Sequence, residues 1–170
     1  MTDQLLENFD DGVATLTMNR PEARNAMTGE MMAALNDAVQ RLALDPEVRC
    51  VVLTGAGNAF CAGGDVKGQA KAATERASGG TFSIEQRVQG LRSGMETSRL
   101  LHEMPKPTLA VIPGAVAGAG LSLALACDLR VAAAEAKFTT AFAKVGASGD
   151  YGGSYFLPRL VGGAKARELY

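Results

Sequence analysis

The sequence predicts a layered α/β domain, and three observations carry that expectation. Apolar runs of strand length recur along the chain, glycine-rich turns follow several of them, and segments with helical spacing come after the turns. With 47% hydrophobic residues among 170, the chain can bury a sizeable core as one domain.

Taken in order, "VATLTM" (13–18) alternates as a half-buried strand does, and "NRPEARNAM" follows as a turn. A helix is predicted from about Thr28, with Met31, Met32, Leu35, Val39 and Leu42 on one face and Pro46 closing it. "RCVVLTG" (49–55) is a continuous apolar run, expected to be a strand covered on both faces. "AGNAFCAGGD" reads as a glycine-rich loop, and 67–82, polar and unpatterned, as a mobile surface segment. Helical spacing returns with Ile84, Val88, Leu91, Met95, Leu101 and Met104, weakened by Gly90 and Gly94 at roughly 1 kcal/mol each. "TLAVIPG" (108–114) is another buried strand, "AVAGAGLSLALACD" a glycine loop opening into an apolar helix, "LRVAAA" a strand, and "GAKAREL" a final helix.

The bulk properties exclude several classes. A formal net charge of −1 gives no electrostatic pull toward nucleic acid or an anionic membrane. No apolar run spans a bilayer, since even 108–127 is broken by Pro113 and glycines. The acidic start, "MTDQLLENFDDG", lacks the plan of a signal peptide. Cys50, Cys61 and Cys127 are odd in number and widely spaced, as small buried residues of a reducing, cytoplasmic compartment would be; no disulfide frame or metal site is expected.

The chemistry is expected in two glycine loops, "FCAGGD" (60–65) and "GAVAGAGLS" (114–122). Small residues admit a ligand close to the backbone, and helix starts leave N–H groups without partners. One such donor from each loop could converge on one oxygen and form an oxyanion hole. Equally, the glycines could serve only tight helix–strand packing. A dinucleotide fingerprint is incomplete, because Gly118 and Gly120 are followed by Leu123 at the third glycine position. A serine hydrolase around Ser122 would have only His102 for a base, and His102 reads as a solvated helix-end residue beside Glu103. A lone acid, Asp150, stands in "VGASGDYGGSYFLPRLVG" with no basic residue within five positions; it is either turn chemistry or a functional carboxylate.

Five stretches together, "VATLTMNRPEARNAM", "VVLTGAGNAFCAGGDV", "PKPTLAVIPGAVAGAGLSLALACDLRVAA", "KFTTAFAKVGASGDYGGSYFLPRLVG" and "AKARELY", resemble the crotonase family of enoyl-CoA hydratases and isomerases. The resemblance implies a spiral of ββα units, four in number, with 1–170 as an acyl-CoA-binding core that stops before the family's C-terminal helices. It implies an acyl-CoA thioester substrate, with coenzyme A entering as part of it and no separate cofactor. A homotrimer or hexamer is implied for the full-length protein. The positions matching the oxyanion donors are Ala62 and Ala119. Gly63, Gly64, Asp65, Gly118 and Gly120 accompany them as substrate-contact positions, and Arg24 stands as either a partner for a CoA phosphate or a surface arginine.

Hydratases of the family use two glutamates to hold a water; the matching positions here are Ser122 and Phe142, both substrate-facing by the resemblance. Asp150 matches a carboxylate that isomerase branches use to move a proton between substrate carbons. The expected reaction is therefore double-bond or ring-opening isomerisation of an enoyl-CoA, with Phe142 and Tyr151 excluding water around Asp150. Dehalogenase branches pair that aspartate with a tryptophan and a histidine, where this chain has Phe142 and Met95. Hydration by a non-standard site and acyl-CoA binding without catalysis stay open beside isomerisation.

Overall fold

The chain opens on a hairpin that its turn dictates. The structure is a computed structural model that describes residues 2–66, 68 and 83–170; most of the 67–82 segment thus lies outside the described residues. Strand β1 (Leu5–Asp10) pairs antiparallel with β2 (Val13–Met18). The connection Asp11-Gly12 has φ of 41° and 78°, the left-handed pair that matches hairpin twist. Arg49 secures the turn, its guanidinium donating to the Asp11 carbonyl at 2.6 Å. The strand pattern does not announce β1, because all but Leu5 of its residues are exposed; the Asp-Gly turn is its sequence signal.

Helix α1 (Gly29–Leu44) starts where expected: the Thr28 side chain accepts from the Met31 N–H at 3.1 Å, a cap worth about 1 kcal/mol. Met31, Met32, Leu35, Val39 and Leu42 are all buried. The chain continues through β3 (Cys50–Gly55), β4 (Ala59–Cys61), α2 (Ile84–Glu103), β5 (Thr108–Ile112), β6 (Ala115–Ala117), α3 (Gly118–Ala126), β7 (Leu129–Ala132), β8 (Phe138–Thr139), α4 (Gly153–Val161) and α5 (Gly163–Leu169). Among the described residues, strand, strand and helix recur four times, which is the expected spiral of ββα units. Five strands form one sheet in the order β1-β2-β3-β5-β7, parallel except for β1; β4, β6 and β8 form a second, parallel sheet. No helix among the described residues is long and apolar enough to cross a membrane.

The core lies between these layers, with Leu16, Met18, Leu35, Val51, Leu53, Phe60 and Leu123 fully enclosed. All nine residues of α3 are buried. Gly120 permits this, since a Cβ there would stand 2.6 Å from the Cys61 Cβ. Arg130 closes the far end of α3, donating to the Ala124, Leu125 and Cys127 carbonyls.

Two expectations need correction. Strands β3 and β5 are buried on one face and only half-covered on the other, with alternate residues differing in exposure. A continuous apolar run does not separate a strand covered twice from one covered once and a half. Helix α2 forms, with Ser83 and Gln86 as a capping box, but Ile84, Val88 and Leu91 are exposed; its apolar face meets the core at Leu100 and Leu101.

The turn between β2 and α1 is held by one side chain. Asn25 is fully buried at φ 56°, a left-handed conformation that asparagine tolerates. Its Nδ2 donates to the Ala56 and Ala59 carbonyls at 2.9 and 2.8 Å, and its Oδ1 accepts from the Arg20 N–H at 2.9 Å. Alanine at this position removes all three bonds and leaves the buried Ala59 carbonyl without this donor. Asn25→Ala is expected to lose at least ~2 kcal/mol of stability, read as a lower urea midpoint; an unchanged midpoint would show that the turn is held by other contacts.

Candidate active site

The glycine loop after β4 takes its shape from the turn at Asn25. The Ala62 N–H donates to the Arg24 carbonyl at 2.9 Å, the Met27 N–H to the Gly63 carbonyl at 2.8 Å, and the Asp65 N–H to the Met27 carbonyl at 3.0 Å. Within this ladder the Cys61 thiol donates to the Asn25 carbonyl at 3.1 Å. Burial pushes that thiol up to about 12, so it is neutral and acts as a donor. The parallel pairing of Met27 with Gly64 uses no N–H of Gly64, which has no hydrogen-bond acceptor among the described residues.

The second loop meets the first at its glycines. Gly63 has φ of 92°, and a Cβ on it would lie 3.1 Å from the Ala117 carbonyl oxygen and 3.6 Å from the Ala119 nitrogen. Ala119 is the second residue of α3, where an N–H has no acceptor within the helix, and no side chain caps this end. Gly64 and Ala119 line the same cleft, about 530 Å³ in volume, between the loops, α1 and α2.

Asp150 lines that cleft too. The carboxylate is half-buried, and its Oδ1 is enclosed without a hydrogen-bond partner among the described residues. Burial pushes its pKa above the ordinary aspartate range, opposed only by its own backbone N–H. Its neighbours are phenols. Tyr151 is pushed up to about 12 by burial first and by the Asp150 charge second, and Tyr170 is raised by the same two causes in the same order. No lysine, arginine or histidine lines the cleft among the described residues. The arrangement is a carboxylate with raised proton affinity that shares one cleft with Gly64 and Ala119.

Of the residues expected from sequence, Gly64, Ala119, Asp150 and Tyr151 come together here, and the other expected site residues do not. Ala62 is corrected as a donor, because its N–H is bound to the Arg24 carbonyl. Gly63 and Gly120 act through the room they leave and Gly118 through its left-handed φ of 51°, and none of the three lines the cleft. Asp65 pairs with Arg20 at 3.3 Å and accepts from the Gly68 N–H at 3.0 Å, which places its carboxylate in the loop's own framework. Arg24 is exposed at φ 51°, outside the cleft lining.

Ser122 and Phe142 are packed away from the cleft. The Ser122 hydroxyl donates to the Gly118 carbonyl at 3.4 Å and abuts Gly153, where a Cβ would lie 2.5 Å from it. Phe142 is buried and stacks on Tyr170, with ring centroids 6.2 Å apart and planes within 9°. Sequence reasoning missed Asn25, whose signal was an asparagine inside a turn, and Tyr170, which stood at the chain end with no pattern around it.

The sequence and its fold have counterparts among known proteins. The family model for enoyl-CoA hydratase/isomerase matches residues 8–170. The 1,2-epoxyphenylacetyl-CoA isomerase of Escherichia coli is 40% identical over 169 residues, 99% of this chain and 62% of that protein. A protein of Mycobacterium tuberculosis named a probable enoyl-CoA hydratase is 41% identical over 165 residues, covering 97% of this chain and 60% of its own. Among solved structures, an enoyl-CoA hydratase from Polaromonas sp. JS666 superposes with a TM-score of 0.84 at 39% identity, over 97% of this chain and 62% of that one. The chain thus spans about three fifths of the length of the relatives it matches. On the match of nearly its whole length, and on the spiral of ββα units that carries its two glycine loops, the chain belongs to the enoyl-CoA hydratase/isomerase, or crotonase, family.

Proposed function

We propose that the cleft holds an acyl-CoA thioester and that Asp150 moves a proton between its carbons, giving a double-bond or ring-opening enoyl-CoA isomerase. The observation that carries this reading is the meeting of three groups at one cleft: the Gly64 N–H, the Ala119 N–H and the Asp150 carboxylate, one buried oxygen of which has no partner among the described residues.

A thioester Cα–H is a weak acid, and it becomes removable when the enolate oxygen is held by fixed donors. The Gly64 and Ala119 N–H groups supply two, and each such donor is worth roughly 2.7–4 kcal/mol in comparable sites. Gly64 replaces Ala62 as the donor from the first loop. Asp150, with its proton affinity raised by burial, accepts the proton from one carbon and returns it to another, a contribution of about 10²–10⁴-fold. Hydration needs a water held by two carboxylates. The two positions concerned carry Ser122 and Phe142, turned away from the cleft, which favours isomerisation over hydration. Arg24, exposed on the turn that borders the cleft through Met27, is the candidate partner for a CoA phosphate. The name of the Escherichia coli relative, a CoA-thioester isomerase, agrees with this reading.

A 3-enoyl-CoA incubated in D₂O is expected to gain deuterium at Cα and to develop the ultraviolet band of the conjugated 2-enoyl product. Asp150→Asn should slow both by about 10²-fold or more while acyl-CoA affinity changes by less than about threefold. Exchange that survives undiminished in the variant would remove Asp150 as the base.

The raised pKa also has a consequence for stability. Folding disfavours the charged carboxylate, so the folded chain binds more protons than the unfolded one between aspartate's ordinary pKa and the raised value. Stability contributed by this group therefore falls as pH rises through that window. Asp150→Asn should have a higher urea midpoint than the parent near neutral pH, with the advantage vanishing at pH below the ordinary aspartate range. An advantage independent of pH would trace to packing instead of charge.

A further inference from the structure

Arg20 is rooted where β2 gives way to the turn. Its N–H donates to Asn25 Oδ1 at 2.9 Å, and its carbonyl accepts from the Ala23 and Asn25 N–H groups at 3.0 and 2.8 Å. With both main-chain groups bound, the base of the side chain has a fixed position. From there a single guanidinium nitrogen, Nη1, reaches two acceptors: the Ala26 carbonyl at 2.7 Å and Asp65 Oδ2 at 3.3 Å. Arg20 itself does not line the cleft.

From the Ala26 carbonyl a chain of polar groups runs to the first-loop donor. That carbonyl shares a peptide with the Met27 N–H, which donates to the Gly63 carbonyl at 2.8 Å. The Gly63 carbonyl shares the next peptide with the Gly64 N–H. In a trans peptide the C=O and N–H point opposite ways, so a carbonyl held on one side directs the N–H to the other. Two consequences follow for Gly64. Its N–H is aimed by the bonds behind it, and a cation at the head of the chain polarises each peptide in turn, making the last N–H a stronger donor. Nη1 also grips the far side of the loop: Asp65, the residue after Gly64, takes the second bond and donates its own N–H to the Met27 carbonyl at 3.0 Å. Glycine at 63 and 64 gives the loop little stiffness of its own, so its order comes from these partners.

We propose that Arg20 is a positioning residue for the reaction: through the Ala26–Met27 and Gly63–Gly64 peptides it aims and polarises the Gly64 N–H toward the enolate oxygen, touching no substrate atom. The inference rests on the reading that the cleft stabilises a thioester enolate. Because both side-chain bonds end on one nitrogen, a lysine ammonium can stand in for the guanidinium, whereas methionine keeps the apolar stem and removes the donor.

The test is Cα proton exchange of a 3-enoyl-CoA in D₂O at several substrate concentrations, for the parent, Arg20→Lys and Arg20→Met, with amide hydrogen exchange of the free proteins. Arg20→Met should lower kcat by about 10-fold or more while KM stays within about threefold, since the developing enolate needs the ordered donor more than the bound thioester does. Arg20→Lys should recover most of that loss. In the free protein Arg20→Met should speed exchange of the Met27 and Asp65 amides by about 10-fold or more and leave those of β3 unchanged. An unchanged kcat in Arg20→Met would overturn the proposal. So would a raised KM with kcat intact, because Arg20 would then act on substrate binding, and so would equal losses in both variants. If Arg20→Met does not fold, Asp65→Asn, which weakens the same pair at nearly constant volume, is expected to show the same split between kcat and KM. A parent that exchanges no Cα proton would overturn the enolate reading instead, and the amide exchange would still decide whether Arg20 holds the loop.

Discussion

The candidate site depends on a constraint far from any substrate atom: the turn at Asn25 is fixed to the loops around β4. Three hydrogen bonds from one buried amide hold the turn against Ala56, Ala59 and Arg20. The backbone of 24–27 then pairs in parallel with 62–65, bond by bond. Parallel pairing at an isolated bridge uses alternate groups of each chain, so the ladder that consumes the Ala62 and Asp65 N–H groups leaves that of Gly64 over. The same ladder places Gly63 against the start of α3, where the absence of a side chain lets Ala119 approach. Two main-chain donors thus come to share a cleft through backbone pairing and small residues.

Around Asp150 the governing fact is what the fold leaves out. A carboxylate beside a cation or capped by several N–H groups has its pKa lowered and becomes a poor base. Here the neighbours are two phenols that are themselves raised by burial, and one carboxylate oxygen is enclosed without a partner among the described residues. The stability cost of burying the charge and the basicity useful for proton transfer are one quantity viewed from two sides. The Phe142–Tyr170 stack and the Ser122 contact with Gly153 fill the space behind Asp150. Water-holding side chains at 122 and 142 would have to displace that packing.

Much of this is legible in the sequence. The alternation of 13–18, the helical face from Met31 to Leu42, and the apolar runs at 49–55 and 108–114 each follow from side-chain period and composition, and each formed. The two glycine loops are legible because close backbone approach admits few other residues, and Gly120 against Cys61 is that case. The exposure of Ile84, Val88 and Leu91 is not legible: helical spacing states which residues share a face, and only the neighbours state whether anything covers it. For the same reason β1 is hidden, since an edge strand exposed along its length carries no burial pattern.

The sequence by itself determined the order of the ββα units, the two glycine loops and the placing of an acid, Asp150, among glycines and apolar residues, because these follow from local preference and from residue types that few others can replace. The tertiary structure alone decided which N–H of the first loop is left over, since that depends on the turn at Asn25, distant in the chain and adjacent in space. It also decided that Asp150 shares a cleft with Gly64 and Ala119 while Ser122, Phe142 and Asp65 do not. Hydrogen-bond competition and burial are properties of what a group meets in space, and a residue's own identity does not contain them.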